Sequence, residues 1–301
     1  MQAKLRHMGK KLFFADSPSP RLPLCSLNLI WTGSELSNEH VSRIKLWKKK
    51  NLHVGVYVWV DSEFINSTVN QLNDNHIQVK CLSGIVLSGP ISDLVQKLSD
   101  KTLMGVANYA AKSDILRFFI LEQYPGWYVD TDVLPIYLSI RRTQCVINGG
   151  DAYTCPDVLF IPRGHKALRI ARNYLDALAR QLDDTSISLI RNTNIAVRYW
   201  STTLLVGGTG YAIRLKLAHD HVLFCLMKFQ SYNENSWIFS DKDSNTLLNG
   251  IDEGEKSFLH AVAEGKNSSI YTTYYSLAQT IRERASNLDE VNESENLPSM
   301  S

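Results

Sequence analysis

The stretch that most constrains this chain runs from 104 to 135. There "MGVANYAAKSDILRFFILEQY" is closed by Pro125-Gly126 and followed at once by "WYVDTDVLP". Small residues early and large apolar residues late predict a buried helix over 104–124, ended by the Pro-Gly pair. "WYVD" then predicts a short central strand. Upstream, "LCSLNLIW" and "VGVYVWV" (54–60) predict strands on either side of a helix at 38–49, with Ile44 and Trp47 sharing one side. The second strand ends in Asp61, which marks the edge of a cleft. "HIQVKCL" (76–82) is a third strand candidate. Strand, helix, strand in this order predicts an α/β sheet with parallel neighbours.

Further along, "CVINGG" (145–150) and "DVLFIP" (157–162) predict strands. Residues 164–182 predict an amphipathic helix, and 187–206 a helix ending near "GGTG". Residues 221–229 predict a strand, and 270–284 a last helix. With no internal repeat, one domain over 24–284 is the simplest organisation. A basic, partly flexible leader (1–23) precedes it, and an acidic flexible tail (285–301) follows.

The strand at 127–130 leaves the core through two acids, Asp130 and Asp132. In an extended segment both point the same way and Thr131 points opposite. Ligands of open α/β sheets gather outside the carboxyl ends of strands. Two neighbouring carboxylates repel, and a cation between them relieves the repulsion. Hard oxygen ligands favour Mg²⁺ or Mn²⁺, which bridge the phosphates of a nucleotide or sugar nucleotide. D-x-D alone is common by chance, and an exposed loop with two acids is the plain alternative. Its setting adds weight. In the preceding helix Asp114 and Arg117 are three apart and share a face among Ala110, Ala111, Ile115, Phe118 and Phe119. Such a pair either braces the adjacent strand or serves a ligand, and one pair can do both.

Composition narrows the classes. The 301 residues are 44% hydrophobic and 21% charged with a net charge of +2, which is globular and argues against nucleic-acid binding. Five scattered cysteines without a CxxC argue against structural zinc and a disulfide framework, and for a reducing compartment. No secretory signal or transmembrane run is legible. "KKLFF" in the leader either touches an anionic surface or packs.

"AAKSDILRFFILEQYPGWYVDTDVLP" closely resembles the core of the D-x-D sugar transferases related to the large clostridial glucosylating toxins. Ala110, Ala111, Ser113, Asp114, Arg117, Gly126, Tyr128, Asp130 and Asp132 carry the resemblance. It implies a GT-A fold: a Rossmann-like, mostly parallel central sheet flanked by helices, with helical additions. It also implies a UDP-sugar donor, Mn²⁺ or Mg²⁺, and transfer with retention. Looser likenesses lie in "LNLIWTG" (27–33), "VGGTGYA" (206–212) and "NENSW" (233–237). By resemblance Trp31 stacks on the uracil beside Thr32. Asp114 bonds to sugar hydroxyls, and Arg117 sits near sugar and phosphate. Tyr128 contacts ribose or phosphate, and Asp130 the donor sugar or ribose. Asp132 is the direct metal ligand, with Asp130 second. Glu234 and Ser236 complete the metal shell, with Asn233 or Asn235 as alternates, and Trp237 closes a lid. Asn148 and Asp151, in "NGGD", face donor or acceptor sugar. The candidate catalytic set is Asp114, Arg117, Asp130 and Trp237. "VGGTGYA" has Gly where the family's turn has Pro, and the long N-terminal helical region of the large toxins is missing.

The expected function is therefore a metal-dependent retaining glycosyltransferase using UDP-glucose or UDP-N-acetylglucosamine. The acceptor is a hydroxyl, on a host protein side chain or on a glycan. The expected setting is soluble, in the bacterial cytoplasm or delivered to a host cytosol; the oligomeric state is left open. Other readings are an enzyme building a bacterial surface glycan, a D-x-D phosphohydrolase with an Asp nucleophile, and an inactive transferase fold kept for binding. The phosphohydrolase expects its motif near the N-terminus, whereas 129 residues precede Asp130.

Overall fold

The computed structural model describes residues 25–230 apart from 75, 88, 140–143, 150–153, 194–197, 199, 200 and 204. The leader, the tail, the "NENSW" loop, Asp151 and the 270–284 helix candidate lie outside the described residues.

Among the described residues seven strands form one mixed sheet: β1 (Ser26–Trp31), β2 (Gly55–Val60), β3 (Ile77–Cys81), β4 (Gly126–Val129), β5 (Cys145–Gly149), β6 (Thr154–Ile161) and β7 (Phe224–Met227). Their order is β3-β2-β1-β4-β6-β5-β7, so "WYV" lies on the central strand. The β3-β2-β1-β4 half is parallel, β6 runs antiparallel to both neighbours, and β7 is parallel to β5. This is the GT-A-like, Rossmann-like arrangement expected from the sequence.

Among the described residues, helices that cover the sheet include α1 (Asn38–Lys50), α2 (Ile65–Leu72), α3 (Pro90–Ser99), α4 (Tyr109–Gln123), α5 (Lys166–Gln181), α6 (Asp184–Ile190) and α7 (Gly208–His219). One face of the sheet packs Tyr57, Trp59 and Tyr128 against α3, α4 and α5. The other packs Trp47 of α1, Trp127 and Phe229. Ile44 and Trp47 are both fully buried, as their shared side predicts. Among the described residues no helix is long and apolar enough to cross a membrane.

Polar groups inside the sheet fix its register. The Asn28 amide donates to Ser26 Oγ (2.8 Å) and to the carbonyls of Tyr124 and Trp127 (both 3.1 Å). Its oxygen accepts from Trp59 Nε1 at 3.1 Å. Gly126 has φ +138°, and a Cβ there would lie 2.4 Å from Ser26 O. The residue that ends the helix therefore also lets β4 start flush against β1.

Three local expectations are corrected. The helix expected over 104–124 begins at Tyr109, because Asn108 caps it by accepting from the Ala111 N–H at 3.0 Å. The preceding segment is spent elsewhere: the Val106 N–H donates to Arg191 O at 2.8 Å. The single helix expected over 187–206 is interrupted, α6 ending at Ile190. Arg191, only 1% exposed, holds the carbonyls of Lys97, Asp100, Leu103 and Met104. Finally, "GGTG" is more than the turn expected: helical residues do end beside it, at Leu205, and from Gly208 the same stretch opens α7. A Cβ on Gly207 would lie 2.7 Å from Thr203 O, and one on Gly210 would touch Thr154 and Pro156. These glycines permit close packing of α7 on its surroundings.

Candidate active site

The carboxyl ends of β1, β2 and β4 converge on one edge of the sheet, which brings Thr32, Asp61 and Asp130 to that edge. The α4 N-terminus lies beside them. The site grows from one buried cation. The Arg117 side chain is 2% exposed, pairs with Asp114 on its own helix, and lies 3.4 Å from Asp130 Oδ1. Its guanidinium also donates to Pro156 O and Ser113 O, and stacks 4.5 Å from the Tyr128 ring centre. A planar fork with several donors suits this task, because one group serves two carboxylates and two carbonyls.

Asp114 and Asp130 remain 21% and 30% exposed, so both carboxylates reach solvent while their counter-charge does not. Burial pushes Asp114 up to about 6, against the opposing charge of Arg117 and with help from Asp130. Tyr128 is fully buried; its hydroxyl donates to Asp130 Oδ1 and lies 3.1 Å from Ser113 Oγ. Burial, with the Asp130 charge, raises the phenol well above its ordinary value, so it stays a donor.

Asp130 and Asp132 do not lie in an extended segment. The Val133 N–H donates to Asp130 O at 3.2 Å, so the chain turns at once after β4. The same-side alternation expected of a strand does not apply, and Thr131 is the buried member of the turn. Asp132 is partly exposed. Among the described residues no group of three His, Cys, Asp or Glu gathers as a metal centre. The donor set is two carboxylates, which is part of a hard-cation shell. The other proposed ligands, Glu234 and Ser236 with Asn233 and Asn235, and the lid Trp237, lie outside the described residues.

Asp61, expected at a cleft edge, is a second hub. Its Oδ2 accepts from Thr32 Oγ1 (2.6 Å) and the Gly33 N–H (2.7 Å), and its Oδ1 from Lys112 Nζ (2.6 Å). Burial would raise its pKa, but these three donors outweigh burial and hold it below the ordinary carboxylate range. The turn after Trp31 is thereby pinned to α4. Gly33 has φ +88°, and a Cβ there would overlap the Tyr109 ring at 2.3 Å. Trp31 donates from Nε1 to Ser34 O at 2.9 Å, and its ring centre is 4.0 Å from that of His40. Beside this hub opens a cavity of ≈ 650 Å³, lined by Asp61, Glu63, Leu82, Tyr109 and Lys112 among others.

Asn148 is fully buried: its amide donates to both Asp157 oxygens at 2.8 and 3.0 Å, and its carbonyl accepts from the Phe229 N–H. Sequence reading missed Asp157 and Lys112. Burial pushes Asp157 up to about 7, and the Asp130 charge adds to it. The register break between Ile147 and Asn148 lets β6 turn Asp157 towards Asn148. No sequence signal marks that break. Lys112 could have been found from its position, two residues before Asp114 in a segment otherwise buried.

The chain is similar in part to known proteins. A family model described as the TcdA/TcdB catalytic glycosyltransferase domain matches residues 92–141, which hold Asp114, Arg117, Tyr128, Asp130 and Asp132. Toxin A of Clostridium novyi is 28% identical over 190 residues, covering 60% of this chain and 8% of that protein. The chain thus spans a small fraction of that relative's length. Among solved structures, the PaToxG glycosyltransferase is 14% identical with a TM-score of 0.48, over 87% of each chain. The UDP-bound glycosyltransferase domain from the YGT toxin is 12% identical with a TM-score of 0.48, over 87% of this chain and 97% of that one.

Proposed function

We propose that this chain, a relative of the TcdA/TcdB catalytic glycosyltransferase domains, transfers a sugar from a UDP-sugar to a hydroxyl acceptor. One observation carries the proposal. Within the matched segment, buried Arg117 binds Asp114 from α4 and faces Asp130 from β4, leaving both carboxylates open to solvent at one sheet edge. The cation is hidden, while both acids keep solvent-facing surface that a ligand can reach.

Placement supports the following roles. The cavity beside Asp61, Tyr109 and Lys112 takes the nucleoside end, with Trp31 on the turn that Asp61 pins. Asp114 and Asp130 accept from sugar or ribose hydroxyls. Arg117 and Tyr128 act through them: buried donors hold each carboxylate at one orientation before the donor arrives. Asp130 already accepts from Tyr128 and faces Arg117, which favours Asp132 as the direct ligand of Mn²⁺ or Mg²⁺. Such a metal, when bound, neutralises the diphosphate leaving group. The chain's own contribution is to fix the sugar and hold a depressed-pKa carboxylate, Asp61, beneath the turn. Retention of configuration and an acceptor on a protein or a glycan belong to the same proposal.

The test is a screen of UDP- and GDP-sugars for hydrolysis by the purified protein with Mn²⁺. Cleavage of a UDP-hexose, abolished by EDTA and restored by Mn²⁺, is expected. Cleavage of no donor together with binding of none would overturn the proposal.

A further inference from the structure

Trp31 closes β1 at the carboxyl edge of the sheet, opposite Val60 and next to the turn that Asp61 holds. An indole on such a turn has several rotamers open to it unless its edge and a face are both held. Here both are held. Nε1 donates to Ser34 O at 2.9 Å, which fixes the edge. The His40 ring lies against the indole, the two ring centres 4.0 Å apart and the planes tilted by 45°. With its N–H spent inside the protein, the indole has only π surface to offer a ligand, and Trp31 stays partly open to solvent.

His40 is itself held. It stands in the first turn of α1, where Ser37 is the N-cap. Ser37 Oγ accepts from the His40 N–H at 3.3 Å and lies 2.7 Å from His40 Nδ1. A hydroxyl that caps through a lone pair still has its proton to give, so Nδ1 takes it and the ring's own proton sits on Nε2. The charges that bear on the ring are Arg43 and Glu39, an ion pair on the same helix. Trp31 and Ser37 add none, and Glu35, the acid of the intervening turn, is exposed. Burial first, then the Arg43 charge, lowers the His40 pKa below its ordinary 6.5 against the pull of Glu39. The ring is therefore a neutral, flat side chain near neutral pH, anchored by the helix cap.

We infer that His40 is a positioning residue for nucleotide binding, setting the Trp31 indole in the orientation on which a base stacks. The inference rests on the proposed placement of the nucleoside beside the Trp31 turn. His40 touches no ligand in this arrangement and acts only through Trp31. Its loss is therefore felt in binding only while Trp31 is present.

The test is a double-mutant cycle on UDP binding, measured by calorimetry on the full chain with Mn²⁺. His40→Ala should raise the Kd about threefold to tenfold, the range of one aromatic contact. His40→Phe keeps a flat ring without a proton to titrate, and should restore the Kd to within about twofold. In a Trp31→Ala background, His40→Ala should change the Kd by less than about twofold. A second readout needs no ligand. Protonated imidazole in contact with indole quenches its fluorescence, so acidification should give a quenching step with a midpoint below 6.5 in the wild type. That step should be missing from both His40→Phe and Trp31→Phe. UDP bound by the wild type with unchanged affinity in His40→Ala would overturn the inference and leave the proposed donor standing. So would an effect of His40→Ala equal with and without Trp31, or a wild type that lacks the quenching step. A wild type that binds no nucleotide would refute the donor reading itself, and this inference with it.

Discussion

Replacing Arg117 by methionine keeps most of the side-chain volume and removes the cation on which the candidate site is built. Three acids surround that position. Asp114 pairs with it, Asp130 lies 3.4 Å away, and the Asp157 carboxyl feels its charge. Removing one partner of a buried ion pair costs about 3–5 kcal/mol; Asp114 and Asp130 keep part of their solvent, which puts this loss at the lower end. The carbonyls of Ser113 and Pro156 lose their donor as well. The cost must depend on pH. With Arg117 present, Asp114 is held up at about 6 and Asp157 at about 7. Arg117 lowers both, so its loss raises both further. Below about pH 5 both acids are then neutral in the variant and little charge is stranded; above pH 8 each either ionises without a partner or holds its proton against the solution pH, and both outcomes cost stability. Urea unfolding followed by tryptophan fluorescence reads this directly. A loss of about 3 kcal/mol shifts the midpoint by roughly 1 M or more at pH 8, and by less than half of that at pH 5. Arg117→Lys should fall between, retaining the charge without the fork. A midpoint loss equal at both pH values would refute the charge-based account, as would no loss at pH 8.

Asp157→Asn tests the second buried acid. A carboxyl raised to about 7 adds stability below about pH 4 that is lost as pH rises through 7, by up to about 4 kcal/mol; the variant's stability should vary less across that window, as read by thermal unfolding at pH 4.5 and 7.5. Asp61→Ala strands the Lys112 ammonium, and should cost about 3 kcal/mol, of which Asp61→Ala/Lys112→Met recovers part in a double-mutant cycle. Gly126→Ala forces a Cβ to within 2.4 Å of Ser26 O at positive φ, and should lower stability by at least about 2 kcal/mol in the same unfolding assay.

The parallel half of the sheet was legible because its strands are short apolar runs ending in turn or acidic residues. Asp61 after β2 and Asp130 after β4 both fall at the cleft edge for that reason. The Asp114–Arg117 pair was legible from helical spacing alone. What escaped depends on contacts between distant segments. Nothing near Asn28 announces that its amide will tie β1 to β4, and nothing near Arg117 announces Pro156. Asn108 is different: a capping residue before an apolar helix is a local signal, and it marks the true start of α4. The "GGTG" stretch was legible only as the turn that closes a helix, because glycine punctuates turns; that it also opens the next helix depends on close packing that leaves no room for side chains.

The most direct test of the site is UDP release from UDP-glucose and UDP-N-acetylglucosamine, with Mn²⁺, by the wild-type protein and by Asp130→Asn and Asp132→Asn. The account predicts turnover of at least one donor by the wild type and losses on the order of a hundredfold in each variant, with the urea midpoint of Asp132→Asn unchanged. Wild-type turnover that survives in both variants would contradict it.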